Sequence, residues 1–256
     1  MIHPPFEKAN ALTATGIRHG FFGRRCKNSG VGPGLNTSET IDGDPDGAAQ
    51  NRRLAMTALG VGDRPLASLH QTHSTQVITL KKPPALHDRP EADGLVTTCK
   101  DIALGIITAD CAPILFADIE AGVIGACHAG WQGAVNGIIE NTITAMMALG
   151  ATPNNIAAAI GPTISGVDYE VGPERAAEII AANAQTRQHI FVPKNSSREH
   201  FDLPGFATAQ IKQAGVELVE IVGSSTYSSP KRYFSHRHTT KHGTPAGRQI
   251  AIIALK

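Results

Sequence analysis

The spacing of apolar positions changes along this chain, and the changes divide it into strands and helices. Over residues 65–80 (PLASLHQTHSTQVITL) apolar and polar residues alternate. That is the period of an extended strand, and it sets Leu69, Gln71 and His73 on one side and His70 on the other. Residues 102–117 (IALGIITADCAPILFA) are almost continuously apolar, with Asp110 as the only charge, the pattern of a strand covered on both faces. Residues 122–128 (GVIGACH) predict a third strand, whose two-residue period separates His128 and Ala126 from Cys127 and Gly125. The sequence Ala129-Gly130-Trp131-Gln132-Gly133 then makes a turn, and the period lengthens. Val135, Ile138, Ile139, Thr142, Ile143, Met146 and Met147 fall on one face of a single helix, which Gly150 and Pro153 stop.

The flanks are read in the same way. Residues 28–34 (NSGVGPG) form a turn-rich loop, and residues 44–60 a helix with Asp44 as its cap. Strands are expected at 155–160, 217–222 and 249–255, and helices at 172–182 and 204–215. No repeat or low-complexity linker interrupts the chain, so residues 1–256 are expected to form a single domain. The fold class is α+β, with helices packed on mixed β-sheets.

Composition narrows the function. Hydrophobic residues are 41% and charged residues 18% of the 256, a globular balance. With 23 Lys+Arg against 22 Asp+Glu, the net charge is +1, and nothing marks nucleic acid as a partner. No apolar stretch reaches membrane-spanning length, so no membrane association is expected. The N-terminus has no signal-peptide pattern, which points to the cytoplasm. In that compartment Cys26, Cys99, Cys111 and Cys127 are free thiols or ligands rather than a disulfide framework.

Each of the three central strand-like runs carries one candidate metal ligand: His73, Cys111 and His128. Two imidazoles and a thiolate suit zinc with a fourth position left open. The separations of 38 and 17 residues do not by themselves decide this. A cysteine in an apolar strand is equally a small core residue, and histidines are commonly satisfied by hydrogen bonds. The Gly130 turn, between a strand and a helix, presents free N–H groups that suit an anion such as phosphate.

A series of short motifs in one order resembles the YfiH family, also called the laccase-domain or multicopper polyphenol oxidoreductase family. The motifs are His19-Gly20-Phe21-Phe22-Gly23-Arg24, Leu35-Asn36, Asn51-Arg52-Arg53, Gln71-Thr72-His73, Ala92-Asp93-Gly94 with Thr97, Ala109-Asp110-Cys111-Ala112-Pro113, His128-Ala129-Gly130-Trp131, Gly161-Pro162, Tyr169-Glu170-Val171 and Gly247-Arg248-Gln249. The resemblance implies a YfiH-like fold and names His73, Cys111 and His128 as zinc ligands, with copper as the alternative metal. It also implies an Arg at position 24 near the metal, where a guanidinium would bind phosphate or carboxylate; from its neighbours alone, Arg24 is equally a surface ion-pair residue. Arg24 and Cys111 are the expected catalytic residues. Arg24, Asn36, Gln71, Asp110, Gly130 and Arg237 are the expected substrate contacts. Asp110 is open to two readings, an acceptor that holds a metal ligand in place or a residue facing away from the metal. Asp93, Trp131 and Glu170 match the motifs, but a turn, a core anchor and a solvated carboxylate explain them equally. The chain departs from the family pattern at Thr163, at Ser225-Thr226, and at His236 and His238 within Ser235-His236-Arg237-His238.

The activity implied by the resemblance is phosphorolysis of adenosine, inosine or methylthioadenosine, with adenosine deamination as a second activity. Purine nucleoside and phosphate are then the partners of a monomer or homodimer. Three alternatives stand beside it: a copper-dependent polyphenol oxidase, an amidase that edits peptidoglycan precursors, and a non-catalytic protein stabilised by zinc. An oxidase needs many imidazoles; the only His-x-His, His236-Arg237-His238, reads as part of a solvated loop.

Overall fold

The computed structural model describes residues 3–13, 16–26, 34–41, 44–82 and 89–256. The expected turn-rich loop at 28–34 lies outside these residues except for Gly34. In chain order the strands are β1 (Phe6–Glu7), β2 (Ile17–Phe22), β3 (Leu66–Ala67), β4 (Val77–Leu80), β5 (Gly94–Thr97), β6 (Ala103–Thr108) and β7 (Ala112–Asp118). They continue with β8 (Val123–Ala129), β9 (Ile156–Ile160), β10 (Ile190–Phe191), β11 (His200–Phe201), β12 (Leu218–Ile221) and β13 (Gln249–Leu255). The helices are α1 (Pro45–Leu59), α2 (Trp131–Asn136), α3 (Ile138–Met147), α4 (Gly172–Ala182), α5 (Leu203–Gln213) and α6 (His236–His242).

Two mixed sheets carry the α+β fold. One has five strands in the order β1-β2-β13-β6-β3, the other six in the order β12-β9-β7-β8-β5-β4, and β10 pairs with β11 apart from both. Alternation along β13 shows how they stack. Ala251, Ile253 and Leu255 enter the core between the two sheets, whereas Ile250, Ile252 and Ala254 pack against Ala55, Met56 and Leu59 of α1. In the second sheet, Leu115 and Ala126 face the inter-sheet core. Ile114, Phe116 and Cys127 face the helical layer of α3 and α5. The molecule is therefore layered helix, sheet, sheet, helix, and strands with both faces covered must be apolar throughout.

Helix α1 ends where its sequence signals place it. Asp44 accepts from Gly47 N at 2.9 Å, and Gly60 closes the C-terminus at φ 76°. Four expectations are corrected. The apolar run at 102–117 is two strands, β6 and β7, in different sheets, because the chain turns at Asp110, where φ is 86°. The alternating run at 65–80 keeps only its ends in sheets; between β3 and β4 the chain leaves both, and His73 has φ 60°. The helix after β8 is broken into α2 and α3 by Gly137 at φ 104°, and Met147 is 47% exposed rather than on the buried face. His236-Arg237-His238 opens helix α6, with Ser235 Oγ accepting from His238 N at 3.0 Å, instead of lying in a loop.

Candidate metal centre and its cavity

The parity of β8 decides which of two adjacent residues reaches the site. Cys127 is fully buried under α3, and burial pushes its thiol up to about 12, so it stays an inert thiol. His128 follows Ile124 and Ala126 on the other face and ends that row where the inter-sheet core opens. His73 and Cys111 arrive from the two places where the chain crosses between the sheets. One ligand atom from each of His73, Cys111 and His128 lies within 4.8 Å of the others. Two ligand atoms of one tetrahedral ion lie roughly 3.5 Å apart, so any pair near the upper limit has to close by about 1 Å to share one ion.

The local structure is built to present these atoms. Gln71 substitutes for a strand: its Nε2 donates to Ile107 O at 2.8 Å and its Oε1 accepts from Ile107 N at 2.9 Å, which pins the loop to β6. Asp93, with no exposed surface, gathers the next turn. One oxygen accepts from Ser74 N at 2.6 Å, Ser74 Oγ at 2.8 Å and Thr72 N at 3.2 Å. The other accepts from His73 N at 3.2 Å and lies 2.7 Å from His128 Nδ1. That contact assigns the Nδ1 proton to the carboxylate side and leaves Nε2 as the ligating atom. Gly130 has an ordinary φ of −74°, and the reason for glycine there is steric. A Cβ would lie 2.5 Å from His73 Nδ1 and 3.1 Å from Cys111 Sγ.

The charges suit a cation. Burial alone would push His128 down, but the Cys111 sulfur and the Asp93 carboxylate outweigh it and raise the imidazole to about 9. Burial would raise Asp93, yet hydrogen bonds from His128 and Ser74 hold it at about 2. Burial and the neighbouring His128 lower His73. A field that holds a proton on buried His128 favours a divalent ion in the same place, and soft sulfur with borderline imidazole is a donor set for zinc or copper.

The cluster opens on a cavity of about 560 Å³, within the range of small-molecule sites. The wall on the five-stranded-sheet side includes Ser38, Glu39, Thr40 and Arg89; the wall on the other side includes Trp131, Tyr169 and Leu203. Glu39 is paired with both Arg52 and Arg89. Gln71, Asp110 and Arg237 line the cavity as expected. Gly130 lies behind the ligands. Asn36 acts one step back, its Oδ1 accepting from Arg248 N at 2.9 Å. Arg24 is not among the described lining residues. Its Nη1 donates to Pro230 O at 3.0 Å and its guanidinium sits 4.6 Å from the Phe234 ring centre. Arg248 also lines the cavity, and its charge is among the causes that lower His73. The sequence motifs include Arg248 without a role, and for Asp93 a turn explains the motif as well as a role in the site does.

Residues 18–256 match the family model described as Multi-copper polyphenol oxidoreductase laccase. The chain belongs to this family. Among the relatives of this laccase-family chain is a Deinococcus radiodurans protein named purine nucleoside phosphorylase, 39% identical over 236 residues, with 91% of this chain and 88% of the relative covered. A Rickettsia conorii protein bearing the same name is 34% identical, covering 73% and 77%. The Neisseria meningitidis protein NMB0706 superposes with a TM-score of 0.84 at 28% identity, covering 98% of this chain and 99% of the other. Bacillus licheniformis YfiH shares the fold, with a TM-score of 0.83 at 22% identity and coverage of 98% and 99%.

Proposed function

We propose that this laccase-family chain is a zinc-dependent purine nucleoside phosphorylase acting on adenosine, inosine or methylthioadenosine, with adenosine deamination as a second activity. The observation that carries the reading is the three-donor cluster forming one wall of a cavity whose other walls hold arginines and aromatic rings. Relatives named for the reaction support the substrate class.

Among the described residues only His73, Cys111 and His128 gather as ligands, one short of a closed structural site. Zinc held there supplies Lewis-acid activation of an oxygen. In phosphorolysis a phosphate oxygen forms a bond to the ribose C1′ while the C1′–N9 bond breaks. Its electron pair leaves with the purine, which takes up a proton. Arg248 and Arg237 can hold the phosphate charge by charge-assisted hydrogen bonds. Burial pushes the Tyr169 phenol up, so it keeps its proton and is able to donate to the departing base. Because Cys111 has to stay out of a disulfide to ligate a metal, a reducing cytoplasmic location fits this reading; no helix among the described residues is long and apolar enough to cross a membrane. A monomer or homodimer fits it equally.

The test incubates the purified protein with inosine or adenosine, with and without phosphate, and separates the products by chromatography beside the Cys111→Ala variant. Hypoxanthine or adenine with ribose 1-phosphate should appear only with phosphate and intact Cys111, and inosine should form from adenosine without phosphate. Elemental analysis should find about one zinc per chain. Absence of both products, with oxidation of a phenol or cleavage of a muramyl amide instead, would overturn the reading.

A further inference from the structure

Asp110, the left-handed residue beside Cys111, is tied to the opposite side of the cavity. Its φ of 86° is one that only glycine adopts without cost, though Asp tolerates it better than most. Four hydrogen bonds hold it there. Oδ1 accepts from Thr226 Oγ1 at 2.6 Å and Oδ2 from Arg237 N at 2.6 Å. The carbonyl accepts from Thr163 Oγ1 at 2.6 Å and Ile164 N at 3.0 Å. Thr226 N closes the ring by donating to Thr163 O at 3.0 Å, and both threonines are buried.

The Arg237 amide belongs to the first turn of α6, where no intrahelical carbonyl can receive it. Asp110 therefore caps α6 from another part of the chain. That helix brings His236 and Arg237 to the cavity, and Arg237 Nη1 donates to Glu170 O at 2.8 Å beside the Tyr169 ring. With both carboxylate oxygens engaged, Asp110 is set up to hold other groups in place rather than to ligate a metal.

We propose that Asp110 is a positioning residue that couples metal occupancy at Cys111 to the order of α6, so that filling the cluster fixes the His236–Arg237 wall of the cavity. The coupling rests on the metal-binding half of the proposed function and not on its substrate. It is reciprocal: whatever orders α6 also tightens the metal.

Hydrogen–deuterium exchange on the full chain, metal-free and with one equivalent of zinc, tests this. In the wild type, zinc should slow exchange of the α6 amides by about tenfold or more, the scale of an ordinary coupling between sites. Asp110→Gly removes both carboxylate bonds while relieving the backbone, so zinc should still bind by chelator competition, but the slowing of α6 should fall below about twofold. Thr226→Val, which leaves the 110–111 backbone unaltered, should also reduce the protection and stands in if the glycine variant does not fold. Equal protection in the wild type and these variants would overturn the coupling, as would zinc leaving wild-type α6 unchanged. Zinc-dependent protection in a protein without phosphorolysis would sink the substrate reading and support the coupling.

Discussion

Replacing Asp93 with Asn keeps the shape of the side chain and inverts half of its hydrogen-bonding capacity. The carboxylate receives His128 Nδ1 and His73 N on one oxygen, and Thr72 N, Ser74 N and Ser74 Oγ on the other. An amide can place a carbonyl on one side only. If its NH2 faces His128, Nδ1 becomes an acceptor and the proton moves to Nε2, the atom that must be bare to bind metal. If it faces Ser74, the amide nitrogen meets the Thr72 and Ser74 N–H donors, and both lose the acceptor that the fully buried Asp93 side chain gave them. Loss of such a partner weakens metal affinity by about 10–100-fold, or roughly 1.4–2.7 kcal/mol. The metal-free protein should also lose about 1–3 kcal/mol for the unmade bonds. Competition with a chromophoric chelator at neutral pH reads the first number, and denaturant unfolding of the metal-free protein reads the second. Zinc affinity within about twofold of wild type would refute the assigned tautomer and the orienting role of Asp93.

Gly130→Ala should lose zinc at least about tenfold more readily than wild type, because the new Cβ would lie 2.5 Å from His73 Nδ1; chelator competition checks it. Arg248→Ala should lower kcat/KM for phosphorolysis by about 10–100-fold through loss of a charge-assisted contact, with a smaller effect from Arg24→Ala. Equal losses in the two would return Arg24 to the substrate. Buried His19 is held neutral at about 4 against 6.5 by burial and Lys8, and it accepts from Ala9 N. Its folded value is depressed, so its contribution is full above about pH 6.5 and is lost as pH falls through about 4, an effect on the order of 3 kcal/mol. Denaturant titrations across that interval should show a slope that flattens in His19→Gln; an unchanged slope would assign it to other groups.

The parts of the fold most legible in the sequence were those where one period governs a whole element. The apolar run of β13 and the caps of α1 were readable from residue order, and the parity that separates Cys127 from His128 held. The breaks were less legible. Residues 102–117 gave no reason to expect a change of sheet, because both strands are covered on both faces and the run stays apolar through the crossing. The break at Gly137 was hidden because the buried face continues in phase from Val135 to Ile138. Of the site, Cys111 and His128 stand out at the ends of apolar runs, whereas His73 lies in a polar stretch and is singled out only by the family resemblance. Asp93 and Arg248 do not stand out, since their roles depend on pairings that join residues far apart in sequence: β5 with β8, and the Asn36 loop with the start of β13.

The same crossings explain why the cluster lies where it does. The chain passes from the five-stranded to the six-stranded sheet between β3 and β4, and again between β6 and β7. His73 is in the first crossing and Cys111 in the second. Each crossing contains a non-glycine residue at positive φ, His73 itself and Asp110 beside Cys111, because the direction must change faster than an extended strand permits. In both crossings side chains rather than a sheet ladder hold the chain: Gln71 pins the first to Ile107 of β6, Asp93 accepts from the amides of residues 72–74, and Asp110 ties the second to Thr226 and Arg237. His128, on β8, faces both crossings from the end of the inter-sheet row. An ion bound by all three ligands would therefore clamp two crossings to a central strand. The open side of that clamp is the cavity between the sheets' ends, which is where a substrate can approach without disturbing either core.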